Sequence, residues 1–139
     1  MEKDFKNGID IENLVKNILE GNWKELLIPK KGDSECELEK AVRFFGIEQT
    51  QLRNFFEKTQ KAKEPEDLLE LIPQVKYSAG RKLVSYQFVE FIEKSVIAIV
   101  NERENEKLNN FKQGMKYLVA FIKFVENKNL KRGEKNAKA

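Results

Sequence analysis

Apolar residues recur at helical spacing along nearly the whole chain, most densely in two successive segments of its second half. Residues 83–103 hold Leu83, Tyr86, Phe88, Val89, Phe91, Ile92, Val96, Ile97, Ile99 and Val100. Leu108, Phe111, Met115, Leu118, Val119, Ile122 and Val125 then mark a long last helix. Helices with such faces must be buried against other helices, so the spacing predicts an all-α, compact helical bundle of about five to six helices with two long C-terminal ones. The first long segment has a wide apolar arc, which suits a central helix or one shared with a partner. Residues 101–105 read equally as a polar hinge or as a solvent-facing turn of one continuous helix. No alternating run is long enough for a sheet, and no repeat is visible.

Upstream, local signals punctuate the same pattern. Asp10 can cap a first helix whose face is Ile11, Leu14, Val15, Ile18 and Leu19, stopped at Gly21. Trp23, Leu26, Leu27 and Ile28 form a short apolar patch ending at Pro29, and Lys30-Lys31-Gly32-Asp33 is a turn. Ser34 with Glu37 has capping-box spacing for a helix burying Leu38, Val42 and Phe45 and ending at Gly46. Thr50 is the expected cap of the next helix, with Leu52, Phe55 and Phe56 on one face. Pro65 suits the first turn of a short helix through Ile72, which Pro73 is expected to end or kink. The expected organisation is one helical domain, 1–130, with a flexible basic tail, 131–139.

The residue types exclude much chemistry. The chain has 139 residues, one cysteine and no histidine. That removes an internal disulfide, a cysteine-based zinc site, the commonest general base and the usual metal ligand. Ser78 and Ser85 have no base. Cys36 lies among Glu35, Glu37 and Glu39, whose charges oppose a thiolate. Glu102, Glu104 and Glu106 read as a solvated segment rather than ligands. Gly80-Arg81-Lys82 lacks the spacing and the Ser/Thr of a P-loop. No enzyme, cofactor or metal is expected. The longest apolar run, 96–100, is far short of the roughly 20 residues of a membrane span, and Met1-Glu2-Lys3-Asp4 does not open a signal peptide. Both point to a cytoplasmic protein without membrane contact.

Charge supplies the positive lead. Residues 1–72 carry 12 Lys+Arg against 16 Asp+Glu, whereas 73–139 carry 14 against 7. An acidic half suits a protein neighbour or the basic half of another copy, and a basic half suits phosphates. Arg53 follows an apolar-face residue and can either pair with Glu57 one turn on or send its head to a polyanion. Lys76, Arg81 and Lys82 surround Gly80, which would let a backbone come close. Lys112, Lys116 and Lys123 fall within about 40° of one another on the last helix, on the side away from its apolar face. Tyr77 fits core packing better than a platform for a base, since one tyrosine seldom makes a site.

Three segments carry a resemblance: Thr50-Gln51-Leu52-Arg53-Asn54-Phe55-Phe56, Leu71-Ile72-Pro73-Gln74-Val75-Lys76-Tyr77-Ser78-Ala79-Gly80-Arg81, and, after a long apolar helix, Phe121-Ile122-Lys123-Phe124-Val125-Glu126. Their order and spacing over roughly residues 45–127 resemble the small subunit of type III-A CRISPR-Cas effector complexes, the Csm family. The resemblance implies a small, all-helical, non-catalytic subunit in antiviral defence, whose copies stack along a ribonucleoprotein and hold the guide RNA and target RNA duplex. RNA cutting in such complexes belongs to the backbone subunit, and DNA cutting and cyclic-oligoadenylate synthesis to the large subunit. The expected RNA-binding residues are then Arg53 and Arg81, with Lys76 and Lys82 beside them; Lys112, Lys116 and Lys123 are added from helical geometry alone. Expected partners are both RNAs, the other effector subunits and further copies of the chain, as a homodimer or stacked oligomer. Residues 1–33 match no part of the family pattern, and a helical adaptor without RNA contact is the alternative.

Overall fold

The computed structural model describes residues 9–138, with side chains through residue 127. Seven α-helices and one 3-10 turn make up the bundle among the described residues. Helix α1, Ile11–Leu19, starts where the Asp10 carboxylate accepts from the Asn13 N–H at 3.3 Å, and buries all five expected apolar positions. Gly21, at φ +72°, ends it as expected. The patch after it forms a helix of its own, α2, Trp23–Leu27, which adds one element to the expected set.

Helices α3, Glu37–Phe45, and α4, Gln49–Lys61, are joined by only Gly46, Ile47 and Glu48. Both begin elsewhere than their sequence signals suggest. Cys36, not Ser34, precedes α3, and its N–H donates to the Glu39 carboxylate at 2.9 Å. Burial of the Cys36 side chain moves the start two residues on. Thr50 lies inside α4, whose first residue follows Glu48, the extended residue that comes after buried Ile47.

The 3-10 turn Pro65–Glu70 runs directly into α5, Leu71–Gly80. Pro73 neither ends nor kinks it. It is the third residue of α5, where an N–H has no partner within the helix, so the missing donor costs nothing. Ser85 opens α6, Tyr86–Glu102: its hydroxyl accepts from the Phe88 N–H at 3.2 Å and donates to the Phe45 carbonyl at 2.7 Å. One side chain thereby serves the start of α6 and the end of α3 together. Arg103, left-handed at φ +54°, then separates α6 from α7, Asn105–Lys138, so 101–105 contains a break between two helices. The backbone is helical through Lys138; for the expected tail, side chains beyond 127 and residue 139 lie outside the described residues, as do residues 1–8 of the N-terminal segment.

The core is centred on α6. Phe45 of α3 meets Phe88 and Phe91 at ring-centroid distances of 5.5 and 5.1 Å, Phe55 of α4 meets Phe88 at 5.6 Å, and Phe91 meets Phe111 of α7 at 6.2 Å. Such tilted and edge-on pairs add to the burial of the rings. Helix α1, α5 and the 3-10 turn pack on the remaining faces of α6, so its wide arc is covered within one chain apart from Tyr86 and Ile97. Helix α7 lies against α3 and α4 and receives α1, whose end is held by the Asn110 amide donating to the Leu19 carbonyl at 2.9 Å.

Candidate nucleic-acid interface

Helix α4 separates two groups of cations. Its C-terminal end is fixed to α7 by Gln60, whose amide donates to the Lys112 carbonyl at 3.1 Å. Its middle touches Phe88, at the start of α6, the end of α6 remote from the turn into α7. Arg53 precedes Gln60 by seven residues, nearly two full turns, and shares its flank of α4. On α7, Lys112, Lys116 and Lys123 share one stripe by helical spacing, and the Gln60 bond joins α7 at Lys112 to the flank of α4 that carries Arg53.

Within that group the charges are unequally committed. Arg53, Lys116 and Lys123 are exposed and make no ion pair among the described residues; the Arg53–Glu57 pair does not form. Lys112 is half-buried and close to Asp67. The Asp67 carboxyl is held below its ordinary range chiefly by the N–H of Glu64, then by that of Lys63, with the Lys63 and Lys112 charges adding to them. Its hydrogen bonds measure 2.9 and 2.8 Å.

The second group is on the opposite flank of α4, at the end of α5. Arg81 lies over the Tyr77 ring, 5.9 Å from its centroid. Tyr77 is 67% exposed, so the expectation that it packs in the core is overturned. Gly80 is an ordinary helical residue with open space around it, and Lys82 carries the left-handed conformation instead, at φ +64°. The Lys82 N–H donates to the Ala79 carbonyl and the Leu83 N–H to the Ser78 carbonyl, both at 2.9 Å, which closes the helix end. Lys76 is engaged by Glu93 of α6 at 3.1 Å, which makes it a brace between helices.

Between these helices runs a groove of about 490 Å³ that the sequence reading missed, lined by Gln51, Asn54 and Lys58 of α4 and by Gln74, Tyr77 and Ser78 of α5. Gln51, Asn54 and Lys58 recur at i, i+3 and i+7, and that polar stripe beside an apolar face was the available signal. Among the described residues no three acids or cysteines gather as metal ligands. The Cys36 thiol is pushed up, chiefly by burial, with the Glu39 charge a lesser cause. No helix among the described residues is long and apolar enough to cross a membrane. No family model, curated protein or solved structure matches the chain.

Proposed function

We propose that this protein is a non-catalytic, RNA-holding small subunit of a type III-A CRISPR-Cas ribonucleoprotein in antiviral defence. The observation that carries the RNA-binding part is that Arg53 of α4 and Lys116 and Lys123 of α7, two helices packed on each other, are exposed and make no ion pair among the described residues. Cations held on rigid elements neutralise successive phosphates and release condensed counterions, so affinity is steep in salt and indifferent to sequence. The guanidinium of Arg53 can take two phosphate oxygens and fix register, while the lysines act as point charges. Arg81 and Lys82 form a second, smaller contact, and Lys76 and Lys112 contribute less because Glu93 and Asp67 already answer them. The effector assignment rests on the order of the three sequence segments. Guide RNA and target RNA, neighbouring subunits and further copies of the chain are the proposed partners, with stacked copies gaining by multivalency.

The test is binding of a fluorescent guide–target RNA duplex to the chain and to the assembled complex. Replacing Arg53, Lys116 and Lys123 together by Ala should weaken the duplex about ten-fold or more at low salt, with helicity by circular dichroism unchanged. Undiminished retention of RNA by the assembled complex would count against the assignment. Assembly with other subunits and no RNA contact in either form would select the adaptor instead.

A further inference from the structure

The groove between α4 and α5 has features that phosphate binding does not use. Gln74 lines it, and the side-chain oxygen of Gln74, Oε1, is buried without a hydrogen-bond partner. A buried acceptor left alone costs free energy, so a ligand that brings an N–H to it is favoured. Gln51 and Asn54 add two more amides on the facing wall, and Tyr77 presents an exposed ring at the rim. Lys58 lies in the same lining, where a phosphate attached to the ligand would be neutralised. The groove volume of about 490 Å³ is within the range of small-ligand sites, about 300–1,000 Å³.

We infer that this groove takes an unpaired nucleobase, adenine by preference, from a single-stranded or splayed segment of RNA. A ring against Tyr77 supplies sequence-tolerant stacking, as aromatic platforms do for single strands. The amides supply choice: Asn and Gln side chains match the adjacent donor and acceptor of adenine at N6 and N7, and the Gln74 oxygen accepts from the exocyclic amine. Arg81, already over Tyr77, stiffens the platform and places a cation next to the following phosphate. The inference rests on the RNA-holding reading but concerns a different flank of α4, so the two separate in experiment.

The full chain is titrated with an octamer of adenylate, with an abasic octamer of the same backbone and with a blunt RNA duplex. The adenylate octamer should bind about ten-fold tighter than the abasic one. Tyr77→Ala and Gln74→Met should each remove most of that difference while leaving the duplex within about two-fold. Neither variant should disturb folding, since the ring is exposed and the Gln74 oxygen has no partner to lose. Equal binding of the adenylate and abasic octamers, or variants that match the wild type on adenylate, would overturn the groove assignment while duplex binding keeps the broader reading alive. A Tyr77→Ala loss equal on octamer and duplex would also overturn it, making the ring part of a phosphate clamp. A chain that takes up none of the three RNAs would overturn both.

Discussion

Lys82 occupies a backbone conformation that glycine adopts freely and a side chain with a Cβ resists, while Gly80, two residues before it, sits in a helix where glycine is the poorer choice. The two positions are inverted relative to a conventional helix end. Lys82→Gly should therefore raise stability by about 1 kcal/mol, and Gly80→Ala by ~0.5–1 kcal/mol, read as higher urea midpoints with unchanged slopes. Asp67 gives the residue-scale dependence on pH. Its folded carboxyl titrates below its unfolded value, so its share of stability is complete above about pH 4 and is lost as pH falls through the folded value. Melting temperatures of the wild type and Asp67→Asn should converge on acidification below pH 4 and stay apart at pH 7.

At the scale of elements, α1 and α7 approach closely at Gly114. A Cβ on Gly114 would lie 2.7 Å from a methyl of Ile18, which is itself buried. Gly114→Ala should cost on the order of 1–3 kcal/mol by overpacking, less the ~1 kcal/mol that alanine returns in helix propensity. The cost should shrink when Ile18→Ala is combined with it, which a double-mutant cycle in urea would measure. Element identity was readable in advance because apolar spacing follows the helix period: all five buried residues of α1 are those the spacing selects. Element edges were less readable. Ser34 and Thr50 have the right chemistry for caps, but burial of Cys36 decided where α3 begins, and Glu48 rather than Thr50 precedes α4. Pro73 was misread because a 3-10 turn preceding it makes residue 71 the first of a new helix, and the sequence carries no mark of that change of pitch.

For the whole molecule, the spacing along each helix was legible and the relation between helices was not. Lys116 and Lys123 share a stripe by arithmetic on residue number, yet nothing in the sequence says which flank of α4 meets α7; the Gln60 bond to the Lys112 carbonyl shows that it is the flank carrying Arg53. If Arg53, Lys116 and Lys123 act together on one duplex, the logarithm of affinity should fall with the logarithm of salt with a slope of about −3, and each alanine should remove about one unit. Lys76→Ala should leave the slope nearly unchanged, because Glu93 already answers that charge. The amide of Asn110 holding the carbonyl of Leu19 has a consequence in time as well as space. Synthesis delivers α1 long before α6 and α7, the two helices it rests on, so Leu14, Ile18 and Leu19 leave the ribosome with neither surface to cover them. Completion of this fold waits for α7, and until then the nascent chain carries an open apolar helix that chaperones can hold.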